Sequence, residues 1–269
     1  MELFKRYYLK TGVVAVIVLF ALSGVAMRND INRIFKFEKA EQPVAGLVSS
    51  VKGKLSKKEE AKLYSEYETV LKTIDPGREE YFQKGKLTVI NEEDSSVLTP
   101  ETIYLVSRKG KDCYYQLGQS ETYNIGGLYV YVDHRIRKIL LSAQKELTSE
   151  ALVAGKTPGK ALKEEGYQIS VSGNGSNREI TLLNPDHPLY KEYTLSYDAA
   201  SGKVSGIFTR MANERDPFAK GQGKLVFVKI SESSAQADMN AYDPLKVVKL
   251  KGKEWGLTER FKGYELVVM

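Results

Sequence analysis

From Tyr81 onward the apolar residues of this chain keep to alternate positions, in short runs broken by clusters of Gly, Asn, Asp and Ser. A strand imposes that period, because successive side chains point to opposite faces of a sheet. Strands are predicted at 82–90, 102–107, 112–117, 128–133 and 136–141, with 108–111 as a hairpin loop centred on Gly110. Asn124-Ile-Gly-Gly127 leads into the fourth of them, and Asp133-His134-Arg135 turns the chain out of it. After two short predicted helices at 144–154 and 158–165, the period returns. Strands at 167–171 and 179–183 flank Gly173-Asn-Gly-Ser-Asn177, which contains an Asn-Gly turn pair. Strands at 190–197 and 203–209 flank Asp198-Ala-Ala-Ser-Gly202. Further strands follow at 224–230, 247–250 and 264–268, with a polar stretch at 231–243 between them. The expected fold is mainly β with a few helices: a curved antiparallel sheet, an incomplete β-barrel plugged by helices.

One helix has clear signals of its own. Ser56 and Glu59 have capping-box spacing. Leu63, Tyr67, Val70, Leu71 and Ile74 then fall on one helical face, and Asp75-Pro76-Gly77 ends the run. This stripe is expected to pack on the sheet. Together with the segment around Trp255 and Phe261, it is expected to fill the barrel's hollow.

Upstream lies a different kind of segment. Positions 11–27 pass without a charge, and at about 1.5 Å per residue they make roughly 25 Å of helix, the short end of a bilayer span. Lys5, Arg6 and Lys10 precede it. The same features suit a cleaved signal peptide, with a small-x-small site at Gly24-Val25-Ala26. The reading taken is a retained anchor. It divides the chain into a short cytoplasmic segment (1–10), a membrane anchor (11–27), a juxtamembrane linker (28–55) and an exported β-domain (56–269). The expected location is the inner membrane, single-pass, with the C-terminal domain in the periplasm.

Cys113 is the only cysteine, so neither an internal disulfide nor a cysteine-rich metal site is available, and no cysteine follows the apolar run to carry a lipid. Its place in an alternating strand beside Tyr114 suggests buried packing. The net charge of +6 comes from lysines scattered among glutamates rather than from a basic stripe, which argues against a nucleic-acid partner. His134 and His187 both fall in predicted turns and read as solvated polar residues. No Gly-x-Ser-x-Gly, phosphate-cradling loop or calcium-loop spacing occurs, so no catalytic residue, cofactor or metal is expected. Asn174-Gly175-Ser176 formally matches a glycosylation acceptor, but Asn-Gly is better explained as a turn.

The 17 tyrosines are the remaining oddity. Tyr114, Tyr115, Tyr123, Tyr129 and Tyr131 crowd one meander, and Tyr129 shares a strand face with Tyr131. Cross-strand packing on a half-exposed sheet is one explanation. The other is an aromatic face that docks a protein partner or a sugar polymer, with Tyr115, Tyr123, Tyr129 and Tyr131 as the candidate residues.

An amphipathic helix, a β-meander, inserted helices and then more hairpins is an order of elements similar to the LolA/LolB-like superfamily. The hairpin at 190–207, where Gly202-Lys203 precedes Val204 and Ile207, resembles a strand-turn-strand of that family. The resemblance implies an incomplete barrel that holds acyl chains. It implies no particular functional residue, and the missing lipid-bearing cysteine and the anchor both depart from the family. Two functions are therefore expected in competition. One is a non-enzymatic inner-membrane protein whose β-domain serves as a structural or interaction subunit of an envelope assembly, such as a secretion or transport machine. The other is a lipid or lipoprotein carrier using a half-barrel hollow.

Overall fold

The computed structural model describes residues 55–74, 79–145, 159–213 and 215–269. Its helices are α1 (Lys57–Leu71) and α2 (Gly159–Glu164). Its strands are β1 (Glu80–Asn91), β2 (Val97–Lys109), β3 (Asp112–Leu117), β4 (Ser120–Ile125), β5 (Leu128–Asp133), β6 (Lys138–Ala143), β7 (Gln168–Asn174), β8 (Asn177–Leu183), β9 (Tyr190–Asp198), β10 (Val204–Met211), β11 (Lys224–Ser234), β12 (Val248–Lys251), β13 (Glu254–Leu257) and β14 (Glu265–Val268). Twelve of these follow the hydrogen-bonded order β14-β6-β5-β4-β3-β2-β1-β11-β10-β9-β8-β7, and β12-β13 is a separate ribbon. The order is open, with β14 and β7 at its two edges. The chain divides into two compact units: 55–74, 87–101, 159–213 and 215–229 lie in the first, and 79–86, 102–145 and 230–269 in the second.

In the first unit, α1 starts where the sequence says it should. The Ser56 hydroxyl accepts from the Glu59 N–H at 3.3 Å, and the Glu59 carboxylate accepts from the Ser56 N–H at 2.9 Å, which satisfies two of the donors a helix start leaves open. The apolar stripe is buried, with Tyr64 added to it, and α1 packs against β7 and α2. The sheet offers a matching surface. Ile207, Leu195 and Ile180 stand opposite one another across β10, β9 and β8, and all are buried. Tyrosines stitch helix to sheet: Tyr64 donates to the Tyr167 carbonyl at 2.8 Å, and Tyr167 donates to the Tyr190 carbonyl at 2.6 Å. Glu66 on α1 accepts from both Arg178 (2.7 Å) and the Tyr197 hydroxyl (2.5 Å). On the other sheet face, Arg210 is held between Glu192 and Glu92.

In the second unit, two-residue connections at 110–111, 118–119 and 126–127 join β2 to β5 and fix the register residue by residue. One face carries Tyr114, Tyr123, Val130, Val132, Ile139 and Leu141. It is covered by the C-terminal segment, which contributes Val247, Val248 and Phe261, with Trp255 and Leu257 packed beside them. Tyr242 stacks on Tyr114 at 4.0 Å, nearly parallel.

The structure corrects several expectations. The sheet is not wholly antiparallel, because β14 pairs with β6 in parallel. A parallel pair needs a long connection rather than a hairpin, so no local signal marks it. The two covers also differ. Helices cover the sheet of the first unit, but a β-ribbon with 3₁₀ turns at Met239–Ala241, Pro244–Lys246 and Glu259–Phe261 covers that of the second. Strand β4 lies where the sequence predicts only a lead into β5, because Thr122 and Asn124, buried polar residues, break the apolar alternation. The polar stretch 231–243 is not a plain loop: β11 runs on to Ser234, and Met239 and Tyr242 pack on the core. Among the described residues no helix is long and apolar enough to cross a membrane. The proposed cytoplasmic segment at 1–10, the anchor at 11–27, all but the last residue of the linker at 28–55, the helix stop at 75–77 and most of the predicted helix at 144–154 lie outside the described residues.

Candidate functional site

Strands β3, β4 and β5 present the candidate tyrosines, and their register decides which of them act together. Tyr115 stands opposite Thr122, and Thr122 opposite Tyr131, so Tyr115 and Tyr131 flank a small residue on one face. Tyr129 stands opposite Asn124 on that same face. These three rings are half-buried. Tyr123 is not with them. It stands opposite Tyr114 and Val130 on the other face, where it is buried in the core. Three of the four candidates therefore form one surface, and the fourth is a packing residue.

The tyrosine face is held in shape at one end by the chain that leaves β6. The Asn124 carboxamide accepts from the Lys145 N–H at 2.8 Å and donates to the Lys145 carbonyl at 2.9 Å. Gln144 accepts from the Gly127 N–H and donates to Asp112 and to the Asn124 carbonyl, each within 3.1 Å. This brings the Lys145 ammonium 3.9 Å above the Tyr129 ring, a cation–π contact. Tyr131 donates to Ser120 at 3.3 Å. Burial pushes the Tyr115 phenol well above its ordinary value, so it stays a neutral hydrogen-bonding group. These side chains supply contact area, hydroxyl donors and one cation. They supply no acid–base pair and no nucleophile with its base.

The buried face holds a polar network that the sequence does not announce. Glu121 accepts from the hydroxyls of Tyr123 (2.5 Å) and Tyr114 (3.2 Å) on one oxygen and meets His134 Nε2 at 2.7 Å on the other. Burial works against the Glu121 charge, but the hydrogen bonds from Tyr123, His134 and Tyr114 outweigh it and hold the carboxyl below its ordinary range. An ionised carboxylate only accepts, so Nε2 carries the proton. In the neutral ring Nδ1 then accepts from the Tyr264 hydroxyl, 3.0 Å away. His134 is therefore not a solvated turn residue. It joins β4 to the segment that leads into β14.

His187 is likewise buried, against expectation. Its Nδ1 accepts from the N–H groups of Leu189 (3.2 Å) and Tyr190 (3.0 Å), and burial pushes its pKa down to about 4. Cys113 meets expectation: it is a free, buried thiol, pushed up to about 12 by burial. Among the described residues no group of three or more His, Cys, Asp or Glu side chains is placed to hold a metal.

No protein-family model matches the chain, and no curated protein matches it significantly. Solved structures do resemble it. An uncharacterized conserved protein from Thermus thermophilus aligns at 9% identity over 76% of this chain and 99% of its own, with a TM-score of 0.36. The MucA/MucB complex of Pseudomonas aeruginosa aligns at 12% identity over 73% of this chain and 63% of the other, with a TM-score of 0.37. A LolA superfamily protein from Nitrosomonas europaea aligns at 10% identity over 64% of this chain and 93% of its own, with a TM-score of 0.27. The chain is similar to LolA-like structures. At these scores the LolA-like likeness is weak.

Proposed function

We propose that this chain is a non-enzymatic interaction subunit, anchored by positions 11–27 in the inner membrane, with its β-rich part in the periplasm as a component of an envelope assembly. One observation supports this reading above the others. The β3-β4-β5 meander has two unlike faces: one is sealed by the protein's own C-terminal segment, and the other keeps Tyr115, Tyr129 and Tyr131 half-buried. Tyrosines fixed in strands offer large contact areas at low entropy cost, which suits them to docking a partner. The test is a triple substitution, Tyr115→Ser, Tyr129→Ser and Tyr131→Ser, in the full chain purified from membranes in mild detergent. Loss of co-purifying envelope proteins with little change in melting temperature is the expected result. Unchanged co-purification would remove the face from the account.

A second reading, an acyl-lipid carrier, draws on a different observation in the same unit. Gln83 is fully buried and, among the described residues, neither its amide atoms nor the buried Tyr104 hydroxyl has a hydrogen-bond partner. Unpaired buried polar groups cost about 1–3 kcal/mol each, a cost that a ligand's polar head group would offset. Acyl lipid found by mass spectrometry of the same purified protein, and lost in a Gln83→Leu variant, would put this reading ahead.

A further inference from the structure

The Asn174-Gly175 pair shapes a tight turn, and its surroundings also suit covalent chemistry. Asn174, the last residue of β7, stands opposite Asn177, the first of β8, so only Gly175 and Ser176 connect them. Gly175 takes φ +65, and a side chain there would meet nothing within 4 Å. The Asn174 side chain is exposed, on the rim of a cleft of about 380 Å³ that is also lined by Arg178, Glu179 and Ser196. It has no hydrogen-bond partner among the described residues. Several other asparagines are restrained. Asn124 clamps Lys145, Asn184 donates to the Glu165 carbonyl at 2.8 Å, and Asn213 accepts from the Arg215 N–H at 2.8 Å. Only Asn174 is followed by glycine, whose amide nitrogen no side chain shields.

We infer that Asn174 is a site of spontaneous backbone-assisted deamidation. The Gly175 amide nitrogen loses its proton to solvent base and attacks the carboxamide carbon of Asn174. A new C–N bond closes a five-membered succinimide, and the bond from that carbon to the original amide nitrogen breaks to release ammonia. Water then opens the ring at either carbonyl, giving aspartate, or isoaspartate with the backbone rerouted through the side chain. No oxidant or other reactant takes part.

The two products differ in what the hairpin tolerates. Aspartate adds a charge and leaves the backbone as it was. Isoaspartate adds one carbon to the main chain at the last pair of the β7-β8 ladder, where Asn174 stands opposite Asn177 across a two-residue connection, and that shifts the register of the pair. The Asn174–Asn177 closure is therefore lost in that product. Because β7 is an edge strand with a neighbour on one side only, its pairing to β8 loosens with it.

The test is ageing of the full chain in detergent at mildly alkaline pH and body temperature, followed by peptide mapping and enzymatic isoaspartate detection. Asn174 is expected to convert several-fold faster than any other described asparagine, and an Asn174→Gln variant is expected to stay silent in that peptide. The isoaspartate fraction is expected to lose amide-exchange protection across Gln168–Asn174, whereas an Asn174→Asp variant keeps it. Retention of the Asn174 amide while other asparagines convert at equal or greater rates would overturn the inference. So would conversion that leaves the exchange of β7 unchanged.

Discussion

At the scale of the residue, the two histidines show how far burial reshapes an ordinary side chain. His187 has its lone pair committed to two backbone N–H groups, so a proton on Nδ1 would face two donors. With its folded pKa lowered from 6.5 to about 4, the unfolded chain takes up a proton first as pH falls. The stabilising effect is thus complete above pH 6.5, declines as the pH drops toward about 4 and levels off below. The melting temperature of the wild type should fall across that window more steeply than that of a His187→Asn variant. Parallel curves would contradict this. Neither this role nor that of His134 was legible beforehand, because a turn position gives no sign of what packs over it. The partners of His134, Glu121 and Tyr264, lie in β4 and just ahead of β14, far from one another in sequence.

At the scale of the element, local signals were legible and distant ones were not. The capping box of α1, the Gly110 connection, the Asn-Gly hairpin and the 198–203 turn, where Asp198 accepts from the Ser201 N–H at 2.8 Å, are each set by residues a few positions apart. The division of Tyr114 from Tyr115 follows from strand period alone. Which of those faces is sealed does not, because the cover arrives more than a hundred residues later. That cover is held by Phe261, which is 1% exposed in the core of the second unit. Phe261→Ala should cost about 3–5 kcal/mol in a denaturant melt, the usual loss for a buried aromatic. A loss under about 1 kcal/mol would mean that the C-terminal segment is peripheral to the fold.

At the scale of the whole molecule, β1, β2 and β11 each supply residues to both compact units. The mainly β character was readable from the period of the apolar residues. The parallel place of β14 beside β6 was not, since the two strands lie far apart in sequence. In the proposed function the half-buried tyrosine face meets a protein partner. Photocrosslinking in intact cells tests it most directly, with a photoreactive phenylalanine analogue placed at Tyr131 on that face and, separately, at Tyr123 in the core. The expected result is a crosslink from position 131 to a defined envelope protein and none from position 123. Crosslinks to lipid alone from position 131, or the same protein captured equally from both positions, would contradict it.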